Sequence, residues 1–313
     1  MRILITGGAG FIGSHIAEQA LARGHEVLVI DDLSTGRREN VPAAAELVVL
    51  DLRRAAEVRA VFERFRPDAV THQAAQASVA ISMREPVRDA DVNVLGGLAV
   101  LEACRATNTK RFVFASTGGA IYGEVAEGTR ANEQTAAGPL SPYGAAKLAI
   151  EGYLPTYSHH FGVAATVLRY ANVYGPRQDP HGEAGVVAIF AERALSGAAM
   201  KINARRNKGD DGCVRDYVYV RDVVRANLGA LEGTLSERVL NVGSGAATTT
   251  GELARGLRDA ASSSSVLDPS EVRAGDLERS VLDPSRFEAS IGAVTPLAEG
   301  LAETLDWFRA RVR

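Results

Sequence analysis

Cysteine is scarce in this chain of 313 residues: Cys104 and Cys213 are the only two. Two thiols cannot build a disulfide framework, so a reducing, cytoplasmic setting is expected. Neither lies in a recognisable catalytic signature, and both read as packed thiols. Long apolar runs are missing as well. Nothing approaches the roughly 18–20 apolar residues of a membrane-spanning helix. The apolar opening breaks into glycines, His15 and Glu18, well short of the about 7–15 apolar residues of a secretory signal. Charge of one sign is not in excess either. Thirty-five Lys and Arg stand against 38 Asp and Glu, for a net charge of −3, which gives no bulk attraction to nucleic acid or an anionic membrane. No metal-ligand spacing is visible. The adjacent His159 and His160 point to different faces of a helix and read as a solvated helix end. His181 falls in a Pro- and Gly-rich loop and reads as structural.

What is present is an ordinary globular composition, 46% hydrophobic and 23% charged. The length leans towards two cores. Short, β-branched apolar bursts at 2–6, 26–30, 46–50, 68–72, 111–116 and 164–170 read as strands covered on both faces. Helical stretches lie between them near 11–23, 54–65, 86–107 and 141–161. This alternation predicts an α/β fold, a doubly wound (Rossmann) parallel sheet with right-handed crossovers. After Tyr170 the rhythm changes to a loop rich in Gly and Pro, a helix near 184–197 and irregular polar sequence. The expected division is a dinucleotide-binding domain over 1–171 and a smaller, substrate-binding region over 172–313. The apolar "DYVYV" and "VLNVGSG", within 216–245, are expected to return to the main sheet. "ASSSS" (261–265) reads as a loop, and the C-terminal stretch as an amphipathic helix.

"ILITGGAGFIGSHIAE", residues 3–18, carries the first chemistry. Gly7, Gly10 and Gly13 fall where the first strand turns into the first helix. Gly7 permits a tight turn, Gly10 lets backbone approach a pyrophosphate, and Gly13 lets the helix pack closely. The helix N-terminus offers free N–H groups and a partial positive charge to phosphates. Asp31 ends the second strand 18 residues after Gly13. A carboxylate there accepts from ribose hydroxyls and repels a 2′-phosphate, which favours NAD over NADP. Asp32 beside it reads as a turn residue. Arg37 and Arg38 pull against the NAD preference.

"SPYGAAKLAIEGY" carries the second. Tyr143 and Lys147 stand four apart, on one face of a helix. A tyrosine with its ordinary value of about 10 is a poor base at neutral pH. A neighbouring ammonium and a positive nicotinamide lower that value.

With these motifs, and with "DDLSTG", "HQAAQASVAIS", "NVLGGLAVLEA", "FASTGGAIYG", "RYANVYGPRQ", "DGCVRDYVYVRD", "LNVGSG" and "RAGDLERS", the chain resembles the extended short-chain dehydrogenase/reductases. It is most similar to their nucleotide-sugar epimerase branch, typified by UDP-glucose 4-epimerases, and the resemblance spans nearly the whole chain. It implies that Phe11 and Ile12 line the cofactor with the glycines, and that Asp51 and Leu52 flank its adenine. Gln73, Ala74 and Ala75 line the cofactor, Asn93 stands near its nicotinamide half, and Tyr170 borders it. Tyr143 is then the base, and Lys147 holds the ribose and lowers the tyrosine's value.

The resemblance also puts a hydroxyl at the end of the "FVFAS" strand against the reacting oxygen. Counting back from Tyr122 reaches Gly118 and counting along the strand reaches Thr117. A glycine cannot donate, so Thr117 is assigned, with Ser116 in reserve. The implied reaction is C4 oxidation of a UDP-sugar to a 4-keto sugar, which turns over before the same tightly held NADH reduces its other face. A 4,6-dehydratase or a decarboxylase on the same scaffold is the competing reaction. Those enzymes carry acidic residues where this chain has Gly118 and Gly119. An NAD-binding sensor without turnover is the non-enzymatic alternative, and it usually lacks the tyrosine or the lysine. Arg215 and Arg273 match positions that grip the diphosphate, Asp276 the one that holds the nucleoside ribose, and Asn172 one near the diphosphate-sugar. Ser280 stands where a tyrosine excludes N-acetyl sugars, so UDP-GlcNAc and UDP-GalNAc are expected substrates beside UDP-glucose and UDP-galactose. A homodimer through the helices near 86–107 and 141–161 is implied as well.

Overall fold

The computed structural model describes residues 1–180, 185–273 and 275–312; His181 lies outside them. In the first half, strands β1 (Arg2–Thr6), β2 (Glu26–Asp31), β3 (Glu46–Val49), β4 (Ala69–His72), β5 (Arg111–Thr117) and β6 (Ala164–Tyr170) alternate with helices. The helices are α1 (Phe11–Ala22), α2 (Ala55–Phe65), α3 (Val79–Arg84), α4 (Pro86–Ala90), α5 (Gly96–Thr107), α6 (Gly118–Ile121) and α7 (Pro142–Phe161). A π-helical turn, Asp91–Leu95, joins α4 to α5, so the single helix expected over 86–107 is split by a wide turn. The second half holds β7 (Asn172–Tyr174), α8 (Val186–Ser196), β8 (Met200–Asn203), β9 (Val214–Arg215), β10 (Tyr217–Tyr219), α9 (Val220–Glu232) and β11 (Val239–Val242). It closes with β12 (Thr248–Thr249), α10 (Thr250–Ala260), β13 (Leu267–Ser270), β14 (Arg279–Ser280), α11 (Ser285–Ile291) and α12 (Leu297–Val312).

The main sheet has seven parallel strands in the order β3-β2-β1-β4-β5-β6-β11. The pleat sends alternate residues to opposite faces. Leu4, Leu28, Val70, Phe112 and Phe114 pack with α2, α5 and α7 on one face. Ile3, Ile5, Val27, Val29 and Val113 pack with α1 and α9 on the other. Strands wedged between helices bury both faces, which is why they read as unbroken apolar runs. Chain order reverses between β1 and β4, and that switch point is where an open α/β sheet binds a dinucleotide.

The expectation for 216–245 divides. β11 joins the main sheet beside β6. β10 does not: it pairs in parallel with β7 in a separate two-stranded sheet. Its Tyr-Val-Tyr stretch is apolar because all three residues are buried between α9, α12 and β7, an environment that burial alone cannot distinguish from the main sheet. Beyond it, β12, β9 and β14 form a small three-stranded sheet.

Candidate active site

The turn from β1 to α1 is closed against side chains. Gly7 has φ +70°, and a Cβ there would stand 2.6 Å from the Ala74 nitrogen. A Cβ on Gly13 would stand 2.2 Å from the Gly7 oxygen. Gly10 caps α1, and a Cβ there would meet only the Gly7 oxygen, at 3.2 Å. Its outer side is clear for a phosphate. Phe11 and Ile12 open the helix, partly buried against the core. Gly8, which the spacing argument passes over, is also obligatory in this packing: a Cβ would sit 2.7 Å from both Val29 methyls.

Asp31 is buried at the end of β2. The Ala9 N–H donates to its Oδ2 at 2.9 Å and the Leu33 N–H to its Oδ1 at 2.9 Å. Burial pushes its carboxyl up while these donors pull it back. A carboxylate has about four acceptor sites, so capacity remains for ribose hydroxyls. Asp32 accepts from the Ser34 N–H and hydroxyl, as a turn residue does. A cradle that any Cβ would fill, at a helix N-terminus and beside a half-satisfied carboxylate, fits a dinucleotide.

The other expected cofactor residues carry more internal bonding than the sequence conveys. Asp51 is gripped by Arg53, whose Nη2 stands 2.5 Å from Oδ2, and that guanidinium lowers the carboxyl's value. Leu52 packs on Gly96. Gln73 donates to Thr71 Oγ1, Asn227 Oδ1 and the Tyr170 hydroxyl at 2.7, 3.0 and 3.2 Å. Tyr170, pushed up to about 12 mainly by burial, also accepts from Asn227 at 2.7 Å. Ala74 donates its N–H to Thr6 Oγ1, and Ala75 follows in the same loop at the mouth of the sheet. Asn93 donates to the Gln76 carbonyl and to Asp89 Oδ1, and accepts from the Gln76 N–H, all at 3.0 Å. Its carboxamide is thus committed to holding the 73–77 loop.

The catalytic candidates come together. Ser141 caps α7 by accepting from the Gly144 N–H at 3.2 Å, with Pro142 in the first turn. This fixes where Tyr143 and Lys147 emerge. Thr117, the last residue of β5, lies close enough to the Tyr143 phenol to lower its value. Ser116 points to the other face, donating to Glu151 Oε1 at 2.5 Å, and Glu151 is in turn bridged by Arg169. The pleat therefore separates the two hydroxyls, and only Thr117 faces the tyrosine. Lys147 is buried, and its ammonium donates to the Ala115 carbonyl at 2.9 Å. Burial brings it down to about 8, against the pull of Asp89 and Glu151. The expected lowering of Tyr143 by Lys147 is not found. Burial and the Asp89 charge raise the phenol, and only Thr117 opposes them. The ammonium lies 5.8 Å from the phenol ring's centroid, and its hydrogen bond goes to a carbonyl.

On the opposite wall, Asn172 donates Nδ2 to the Asp216 carbonyl at 3.0 Å. Gly119 lies between the two walls: a Cβ on it would have Thr117 Oγ1 at 3.8 Å and Asn172 Nδ2 at 3.9 Å. Arg215 on β9 lies in register with buried Ser280 on β14, and its guanidinium donates to the Val214 carbonyl at 3.0 Å. Arg273 and Asp276 are bound to each other through two hydrogen bonds, 2.9 and 2.7 Å. Sequence reasoning missed Asp216, whose carboxylate accepts from Ser244, Gly245 and Leu282 and so ties β11 and the segment after β14 together. It also missed buried Asp89 and Asn227. The partners of Asp216 and Asn227 are distant in the chain, and the spacing of four between Asp89 and Asn93 does not reveal that the pair is buried.

Residues 3–243 match the model of the NAD dependent epimerase/dehydratase family. A UDP-glucose 4-epimerase of Mycolicibacterium smegmatis is 41% identical over 99% of this chain and 99% of its own. The Thermus thermophilus UDP-glucose 4-epimerase, solved in complex with NAD, superposes with a TM-score of 0.94 at 53% identity, covering 99% of both chains. The Thermotoga maritima UDP-glucose 4-epimerase, solved with UDP-glucose, gives 0.94 at 45% identity over the whole of both chains. Together with a dinucleotide cradle opening onto Thr117, Tyr143 and Lys147, these likenesses establish that the chain belongs to the NAD dependent epimerase/dehydratase family.

Proposed function

We propose that this chain is an NAD-dependent UDP-sugar 4-epimerase that interconverts UDP-glucose and UDP-galactose through a 4-keto sugar. The observation that carries the reading is the meeting of Thr117, Tyr143 and Lys147 beside two bare glycines. Tyr143 takes the proton from the sugar 4-hydroxyl and returns it after the sugar has turned. Thr117 hydrogen-bonds that oxygen and orients it. Lys147 holds the nicotinamide ribose with the ammonium hydrogens that Ala115 leaves free. Bound NAD supplies a reversible hydride acceptor at C4. An eliminating enzyme needs an acid and a base next to the threonine, and Gly118 and Gly119 provide neither. A side chain at Gly118 would also have to displace the methyls of buried Leu282. The room over Gly119 is free for a sugar to rotate.

Residues 1–171 form the NAD-binding domain in this reading, and 172–313 supply most of the substrate grip. Asn172 contacts the diphosphate-sugar, Arg215 and Arg273 the diphosphate, and Asp276 the nucleoside ribose. Ser280, small and buried, leaves space at C2, so the N-acetylated pair is also a substrate. The assembly is a homodimer through the α4–α5 and α7 helices, which expose Val87, Leu95, Tyr153 and Phe161. Two unpaired thiols suit a cytoplasmic setting, and no helix among the described residues is long and apolar enough to cross a membrane. The test is to incubate the NAD-loaded protein with UDP-galactose and separately with UDP-GalNAc. Formation of UDP-glucose and UDP-GlcNAc is expected. NAD binding without any turnover would favour a sensor, and loss of water from a nucleoside diphosphate hexose would favour a dehydratase.

A further inference from the structure

Two buried side-chain oxygens have no hydrogen-bond partner among the described residues: Gln178 Oε1 and Asp89 Oδ2. Asp89 is the more consequential. It is 1% exposed, and it sits on α4, which packs against the helix carrying Tyr143 and Lys147. Its other oxygen, Oδ1, accepts from Gln76 Nε2 at 2.7 Å and from Asn93 Nδ2 at 3.0 Å. Both donors are themselves fixed. Gln76 bonds the Ser78 backbone in both directions, and Asn93 brackets the Gln76 backbone. The π-helical turn after α4 sets Asn93 on the same side as Asp89. Such wide turns persist mainly where a site needs them. A carboxylate held on one oxygen and bare on the other, away from water, needs a compensating charge nearby.

Lys147 supplies it. The groups facing Lys147 and Tyr143 are few. Glu151, on α7, is spent on Arg169 of β6 and on Ser116. His72, on β4, is held down to about 3 by burial and by Lys147, and is neutral. Tyr170 is bonded to Asn227 and Gln73. On α4 itself, Arg88 pairs with Glu85 at the surface. Among the described residues, this leaves Asp89 as the anion acting on both groups whose charge is not already matched.

We propose that Asp89 is a positioning residue of the proton-transfer site: its carboxylate is the buried counter-ion that keeps Lys147 charged and holds the Tyr143 proton in place. The inference rests on the reading of Tyr143 as the base. Asp89 touches neither substrate nor cofactor in this role. It acts through Lys147 and Tyr143, and through Asn93 on the loop beneath the cofactor.

Asp89→Asn keeps an acceptor for Gln76 and Asn93 and removes the charge. In the NAD-loaded variant both limbs of the kcat–pH profile should move to lower pH by about one unit, with KM unchanged. The acid limb moves because the phenol ionises more easily, and the alkaline limb because Lys147 loses its proton more easily. Limbs that stay in place while kcat or thermal stability falls would mean a purely structural role and overturn the inference. Asp89→Ser, which leaves room for a water in place of the carboxylate, carries the same prediction if the Asn variant fails to fold. Spectrophotometric titration of Tyr143, taken as the difference between otherwise identical proteins with Tyr143 and with Tyr143→Phe, separates this inference from the proposed function. If no UDP-sugar turns over, the function reading fails, while a phenol that titrates about one unit lower without Asp89 still supports the inference and an unmoved phenol rejects it.

Discussion

The two halves of the molecule hold their functional residues in opposite ways. On the cofactor side, long strands and their helices bury the site residues and commit their polar atoms before any ligand arrives. Asp31 has two backbone donors, Asn93 is bonded on both sides of its amide, and Lys147 is anchored to Ala115. On the proposed substrate side, the two-residue strands β9, β12 and β14 are held by their own pairing and by the buried carboxylate of Asp216. Arg273 is exposed and bound to its neighbour Asp276. In the proposed reading the first half is preorganised for the dinucleotide, and the second presents charged groups that exchange internal partners for a ligand.

The sharpest break of that comparison is Tyr143→Phe. Removing the phenolic oxygen should lower kcat by about 10²–10⁴-fold, the usual worth of a positioned acid or base. NAD content and melting temperature should hold, because the ring still fills its place. A loss under tenfold would take the base assignment from Tyr143. On the other side, Arg215→Ala should raise KM for UDP-galactose by about 10–100-fold, the scale of a lost hydrogen bond to a charged group. Little change in kcat is expected if the arginine grips ground state and transition state alike. A kcat loss with KM unchanged would place Arg215 at the reacting centre.

Glycine substitutions compare the halves as scaffolds. Gly13→Ala drives a methyl into the Gly7 carbonyl and should destabilise the fold by about 1–3 kcal/mol, as overpacking does, with loss of bound NAD. Gly256→Ala on α10 has Leu301 Cδ1 at 3.7 Å, an ordinary contact, and should stabilise by about 0.5–1 kcal/mol through helix propensity. Thermal melts of both, with NAD content, check the pair.

Legibility followed the same division. The strands up to Tyr170 stood out because burial on both faces leaves an unbroken apolar run, and the observed ends lie within a residue of those read from the pattern. The cradle was visible because each glycine serves local backbone geometry. Thr117 needed only strand alternation to be told from Ser116, once Glu151 was seen to take the serine. The misreading of β10 has a physical cause: Tyr217, Val218 and Tyr219 are as buried as a central strand, but their partner is β7. Asn227 and Asp216 could not be read, because their partners lie far away in the chain; Asp89 bonds Asn93 only four positions on, but nothing in that spacing says that the pair is buried. Gln73 lies 154 positions from Asn227, and Leu282 lies 66 from Asp216.

The smallest expected effect asks whether the substrate side does exchange partners. Arg273 and Asp276 form a bidentate pair three residues apart, with the arginine side chain 58% exposed. Such a pair contributes about 0–1 kcal/mol to stability, so Arg273→Ala should leave the melting temperature nearly unchanged. If Arg273 turns to the diphosphate and Asp276 to the ribose, each binding event first breaks their mutual bond, and part of the gain is lost. Arg273→Ala should then raise KM by less than tenfold, less than Arg215→Ala, and the difference should shrink further at high salt. Asp276→Ala removes one internal partner of Arg273 together with a ribose contact, so its own effect should be smaller still. The double variant decides between the arrangements: residues that compete with each other before binding give a non-additive cycle. Additive effects on KM would mean that the pair is unbroken by the ligand, and that the substrate side is as fixed as the cofactor side.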